Sequence, residues 1–139
     1  MHPTAYPQYD KKTMARVVAK NMAASTKQCL EICAQLRNNQ LQKAKSFLEQ
    51  VLDFKQAVPF RRFTNGIGHK AGMAAGSYPQ NAAKELLMML NSVEANAQQK
   101  GLNATNLYIA HIVANRAPKA YHYGRRPGRR MKRTHIEII

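Results

Sequence analysis

The sequence predicts an α+β fold, and three observations predict it. Two apolar-periodic segments, about Thr26 to Arg37 and Leu41 to Gln56, follow one another closely, and a third runs from Pro79 to about Gln99. Strand-like stretches stand towards both ends, ARVVA at Ala15–Ala19 and HIEII at His135–Ile139. Between LYIAHIVAN and HIEII lies a segment so cationic that it cannot bury enough apolar surface to offset its own conformational entropy. Helices and strands therefore occupy separate stretches of chain, the pattern of an α+β domain.

Residues 1–14 are polar and proline-marked, carry Lys11 and Lys12, and read as an irregular arm. Ala15–Ala19 is a short strand candidate. Ser25 followed by Gln28 matches a capping box ahead of the first helix, whose buried stripe is Cys29, Ile32, Cys33 and Leu36. Asn38 and Asn39 mark a tight turn. The second helix buries Leu41, Ala44, Leu48, Val51 and Leu52, and so short a connection favours antiparallel neighbours.

Val58 to Tyr78 has four glycines, several cations and no acid, and neither helical nor strand periodicity survives in it. It reads as a long loop, a length that is uncommon unless the loop is functional or ordered by a partner. Pro79 suits the start of helix three, which turns Leu86, Leu87, Leu90, Val93 and Ala97 inward and stops at Gly101. Met88 and Met89 read as core filling on the same face. Asn106–Asn115 reads as one weakly alternating strand, with Leu107, Ile109 and Val113 opposite Tyr108, Ala110 and Ile112. The terminal strand sets Ile136 and Ile138 on one face. Antiparallel pairing of these two strands would make the basic segment an arm turning near Gly124–Gly128, with a tip roughly 25–30 Å from the body at about 3.4 Å per residue.

The 139 residues fit one domain. Its parts are an N-terminal arm (1–14), a body (15–115) with a basic loop (58–78), an extended basic hairpin (116–134) and a closing strand (135–139). Hydrophobic residues reach 45%, enough for a modest core, but 22 basic residues against 7 acidic ones leave a net charge of +15. Such a surface concentrates polyanions. No apolar run approaches the ~18 residues of a membrane span. MHPTAYPQYDKK lacks the apolar centre of a secretory signal, so a cytoplasmic protein is expected.

Catalytic constellations are missing from the pattern. GIGHKAG (Gly66–Gly72) fits neither the P-loop nor the dinucleotide spacing, and no strand precedes it. Its glycines suit close approach of backbone to backbone or to RNA phosphate. Cys29 and Cys33 share one helix face with no second ligand pair, so they read as core residues and no metal site is expected. Most of the seven acids fall on helix faces as solvated charge, and no serine sits in a nucleophile elbow. No enzyme, no catalytic residue and no cofactor is expected.

The arm is where chemistry concentrates. Arg116, Lys119, Arg125, Arg126, Arg129, Arg130, Lys132 and Arg133 stand in it without a single acid. Arginine's planar fork suits phosphate, and tyrosines such as Tyr121 and Tyr123 can stack on splayed RNA bases. A free-standing RNA- or DNA-binding regulator would use the same arm. A membrane-surface binder would need a basic amphipathic helix, which a Pro/Gly-broken segment does not supply.

The segment AGSYPQNAAKELLMMLNSVEANAQQKGLN resembles the archaeal and eukaryotic branch of universal large-subunit ribosomal protein twenty-two, called seventeen in eukaryotes. Gly76, Tyr78, Pro79, Ala82, Ala83, Leu86, Leu90, Glu94, Ala95, Asn96 and Ala97 stand in register with its pattern. ANRAPKAYHYGRRPGRR with THIEII is similar to that family's tunnel hairpin and closing strand, and VPFRRF and GHKAG to its preceding loop. The resemblance implies three helices packed on a small three-stranded antiparallel sheet, with a long protruding basic β-hairpin. It implies a structural role in the large subunit: binding rRNA, bridging several rRNA domains and lining the polypeptide exit tunnel. Its partners would be large-subunit rRNA, neighbouring ribosomal proteins and nascent polypeptide at the hairpin tip, with no membrane. Ser77 stands where the family usually has arginine, and the hairpin is a few residues shorter than usual. The expected rRNA contacts are Lys11, Lys12, Arg16 and Lys20 near the N-terminus, and Arg61, Arg62, His69 and Lys70 from the loop. The arm would add Arg116, Lys119, Tyr121, Tyr123, Arg125, Arg126, Arg129, Arg130, Lys132 and Arg133, with Arg125–Gly128 near the tip.

Overall fold

The computed structural model describes residues 6–139, so the first five residues of the expected N-terminal arm lie outside the described residues. Three strands form one antiparallel sheet in the order β1–β5–β4: β1 (Val17–Met22), β4 (Ile112–Arg116) and β5 (Thr134–Ile138). The last strand is central. Its Thr134, Ile136 and Ile138 are fully buried, and its backbone pairs on both edges, Ile138 with Val17 and Ile112. An isoleucine-rich strand suits that position because β-branched side chains pack well on a pleated, covered face. β1 starts two residues later than the sequence suggests and bulges between Ala19 and Met22, near Asn21 with its φ of 57°.

Three helices cover one side: α1 (Thr26–Leu36), α2 (Leu41–Leu52) and α3 (Gln80–Gln99). α1 buries the expected stripe, Cys29, Ile32, Cys33 and Leu36. The expected capping box does not form: Ser25 is the N-cap by position, but its side chain makes no cap bond. The turn between α1 and α2 places Asn38 at φ 61°, a left-handed conformation that asparagine tolerates. α2 ends at Leu52 instead of Gln56, because Phe54 adopts φ 59° and the amides of Lys55 and Gln56 both turn back to the Gln50 carbonyl.

α3 packs along α2 and against β1. Met89 joins the core, whereas Met88 is 59% exposed and fills nothing. The helix stops where expected, with Gly101 at φ 74°. Ile32, Leu36, Leu41, Leu48, Leu86, Leu90, Ile112, Ile136 and Ile138 meet in one cluster between helices and sheet.

Two further expectations need correction. Asn106–Asn115 is not one strand. Leu107 and Ile109 bond to the α1–α2 turn (Leu41 N to Leu107 O, 2.9 Å; Ile109 N to Asn39 O, 2.9 Å), and β4 begins only at Ile112. The amides of Ala110 and His111 both turn to the Ile139 carbonyl between these pieces. That break shifts the alternation, so Ile112 and Ala114 are buried and Val113 is not. The second correction concerns the 58–78 loop, which closes on itself through a two-residue ladder, β2 (Val58–Pro59) with β3 (Gly76–Ser77).

Candidate nucleic-acid interface

The basic loop is held by one acid. Glu31 lies on α1, only 5% exposed, and its carboxylate accepts three successive amides: Arg61 N (3.2 Å), Arg62 N and Phe63 N (both 2.9 Å). A carboxylate met by several N–H groups needs no cation, so the Arg61 and Arg62 side chains stay outside and exposed. Arg62 and Lys27 flank the Phe63 ring at 5.5 and 5.4 Å. Further along, Lys70 N donates to Ala74 O (2.8 Å) and Gly76 N to Gly68 O (3.1 Å), drawing the loop tight. A Cβ at Gly76 would stand 2.8 Å from Met73 Sδ and 2.9 Å from Lys70 Cγ, so any larger residue there would force those two side chains to shift. His69 bridges Ala75, and the Lys70 ammonium stands 5.4 Å from the centre of the Tyr78 ring.

The arm leaves the sheet after the Arg116–Thr134 pair. Its two limbs run antiparallel, joined by Ala117 N to Arg133 O, Met131 N to Ala120 O and His122 N to Arg129 O. They do not form the regular β-hairpin the resemblance implied, because only one isolated bridge, Tyr121 with Arg130, lies beyond the sheet. The cause is a slip in register. Four residues lie between Arg116 and Tyr121, but three between Arg130 and Thr134, and the longer limb contains Pro118, which has no N–H to give to a ladder. The turn falls between His122 and Arg129, with Gly124 at φ 74° and Arg129 N bonded to Arg126 O. Arg130 lies 5.1 Å from the Tyr121 ring and donates to its hydroxyl at 3.0 Å. The His122 and Tyr123 rings stack at 5.1 Å, and Tyr123 is 80% exposed.

Of the expected contacts, all but Arg16 and Arg133 are exposed. Arg16 turns inward, donating to Glu137 at 2.8 Å beside Tyr9. Lys11 and Lys12 lie on the N-terminal segment and Lys20 on β1. Among the described residues the ion pairs are Arg16–Glu137, Lys45–Glu94 and Lys55–Asp53, so no cation of the loop or arm has a carboxylate partner. Glu31 and Glu137 are both buried and bonded, and Glu31 thereby departs from the solvated charge expected of acids on helix faces.

Loop and arm, distant in sequence, meet at the start of α1. The Thr26 and Thr134 hydroxyls share a 2.9 Å hydrogen bond, and Thr134 donates to Ala24 O at 2.9 Å, fixing the base of the arm to the helix. Ser25 and Lys27 line a groove of about 360 Å³ under the arm and also a cleft of about 230 Å³ beside the loop. Lys27 was not among the expected contacts; the signal for it was a cation in a helix's first turn, where the helix dipole disfavours one. Nothing resembling a metal centre is assembled among the described residues. Cys29 and Cys33 are buried free thiols, both pushed up to about 12 chiefly by burial.

Residues 17–139 match the family described as Ribosomal protein L22p/L17e. The chain is 35% identical to the large ribosomal subunit protein uL22 of Archaeoglobus fulgidus, over 97% of this chain and 92% of that protein. Identity to the protein of the same name from Methanosphaera stadtmanae is 36%, over 96% of this chain and 91% of the relative. For Nanoarchaeum equitans it is 41%, over 92% and 78%. The match spans β1, the loop, the arm and β5, and the chain belongs to the ribosomal protein L22p/L17e family, with the archaeal members as its relatives.

Proposed function

We propose that this chain is a structural constituent of the large ribosomal subunit, binding rRNA through one continuous basic face and catalysing no reaction. The observation that carries the reading is the convergence of two acid-free segments on the first turn of α1, with every loop and arm cation left without a carboxylate. Cations crowded in this way repel one another, and phosphates packed between RNA segments relieve that repulsion. The body would bridge rRNA domains beside neighbouring ribosomal proteins. The arm would reach between those domains and add Arg125–Gly128 to the wall of the exit tunnel, where nascent chain passes. Its place is the cytoplasmic ribosome; no helix of the described residues is long and apolar enough to cross a membrane.

The test is Arg129→Ala with Arg130→Ala in the full chain. Binding to large-subunit rRNA should weaken, and its salt dependence should fall by about two counterion units. Unchanged affinity and slope would remove the arm as the binding element. Sedimentation with large subunits at high salt tests the ribosomal placement separately, since a free regulator would remain in the supernatant.

A further inference from the structure

Away from the basic face, at the opposite end of the sheet, the fold holds an apolar cleft of about 270 Å³. The arm leaves at Arg116 and Thr134, whereas Ala110, Ile138 and Ile139 wall the cleft, so the length of β5 separates the two. That length is roughly 14 Å at about 3.4 Å per residue. Leu102 closes the cleft from the chain after α3, and Thr13 and Met14 close it from the N-terminal segment. Among the described residues no charged side chain lines it. An apolar cavity of roughly 150 Å³ already takes up a benzene ring, so this one has room for a bulky apolar side chain.

Its border has a different character. Tyr108 lines the cleft with 65% of its surface exposed, an amphipathic ring beside an apolar hollow, which is the make-up of a protein-binding hot spot. Cations flank the N-terminal side. Lys11 and Lys12 are exposed immediately before Thr13, and the Lys100 ammonium lies 2.7 Å from Met14 O. Asp10, the one acid in that stretch, accepts from the Lys12 amide (3.0 Å) and the Thr13 hydroxyl (2.9 Å), which leaves three lysines against it. An apolar hollow bordered by lysines is complementary to an apolar side chain flanked by carboxylates. RNA suits it badly: a phosphate would lose its water there, and a base would leave polar edges unmet.

We propose that this cleft docks an acidic segment of a partner protein. A bulky apolar side chain of that segment fills the hollow beside Leu102, Tyr108 and Ala110, and its carboxylates meet Lys11, Lys12 and Lys100. The proposal stands on the cleft and its border and is independent of the rRNA reading. The border pairs lie in water, so the apolar anchor carries most of the affinity and the lysines select the partner by charge. Two ends of one sheet then serve two partners, the arm end a polyanionic backbone and the far end of β5 a protein.

The experiment uses the full chain, amide NMR and four probes: acetyl-Asp-Phe-Asp amide, acetyl-Asp-Ser-Asp amide, acetyl-Lys-Phe-Lys amide and oligouridylate. The acidic phenylalanine peptide should shift the amides of Leu102, Tyr108 and Ala110 and bind about tenfold more tightly than either other peptide. Tyr108→Ala, at an exposed ring, should weaken that binding about fivefold while the β5 amides keep their positions. Lys11→Gln with Lys12→Gln should narrow the gap between the acidic and basic peptides. Equal binding of the serine peptide would overturn the apolar anchor, and equal binding of the lysine peptide would overturn the acidic partner. Silence at Leu102, Tyr108 and Ala110, or their movement by oligouridylate in place of the peptide, would overturn the docking site altogether. None of these outcomes bears on rRNA binding by the arm, which the Arg129 and Arg130 variant tests.

Discussion

Glu31 shows how a single side chain can set the geometry of a distant surface. Its carboxylate is buried on α1, yet what it holds is the backbone of Arg61–Phe63 in the basic loop. Glu31→Ala should cost about 2 kcal/mol, because hydrogen bonds to a charged acceptor are lost and partly buried amides are left unmet. The urea midpoint would report this, and amide exchange at Arg61, Arg62 and Phe63 should quicken well beyond the global change. An unaltered exchange rate there would mean that the loop holds itself. The cysteines carry a different prediction. Burial lifts both thiols to about 12 from an ordinary 9.0, so the folded state keeps protons that the unfolded chain gives up sooner. Their contribution to stability is therefore complete below pH 9 and is lost as pH rises towards 12. Melting between those values should fall more steeply for the wild type than for a Cys29→Ala, Cys33→Ala variant. Native protein at pH 8 should also resist thiol reagents until denatured.

At the scale of elements, α3 and the arm are opposites. α3 buries Leu86, Leu90, Val93 and Ala97 against α2 and the sheet, so Leu90→Ala should destabilise by about 2–5 kcal/mol in chemical denaturation. Residues 118–130 bury nothing, and their cross-limb bonds lie open to water. Their amides should exchange as if unprotected in the free protein, while β5 amides exchange only through global opening. The same contrast explains what could be read from sequence. The apolar periods of α1, α2 and α3 are set by packing, which writes itself at spacings of three and four, so those stripes were legible almost residue by residue. The end of α2 at Phe54 and the break at Ala110–His111 depend on backbone bonds to Gln50 and Ile139, which leave no period behind. Glu31 was misread for a related reason: its partners are amides thirty residues away, and an acid on a helix usually faces water. The cationic identity of loop and arm was legible. Their meeting at Ser25 and Lys27 was not, because only the tertiary fold brings them together.

For the whole molecule, one variable should act on folding and binding with opposite signs. The chain carries a net charge of +15, and only three ion pairs relieve it among the described residues. Lys55–Asp53 is exposed and contributes little, about 0–1 kcal/mol. Arg16–Glu137 and Lys45–Glu94 are partly buried and so are weakly screened. Repulsion among the loop and arm cations, by contrast, acts through solvent, where the Debye length contracts from about 30 Å at 0.01 M salt to about 10 Å at 0.1 M. Added sodium chloride should therefore raise the melting temperature of the free protein by relieving that repulsion. The same chloride should weaken rRNA binding steeply, since every phosphate contact releases a counterion whose return is favoured at high salt. Paired titrations of melting and of binding would read both signs in one buffer series. A melting temperature that fell with salt would show the ion pairs outweighing the uncompensated face, and the strain assigned to that face would have to be abandoned.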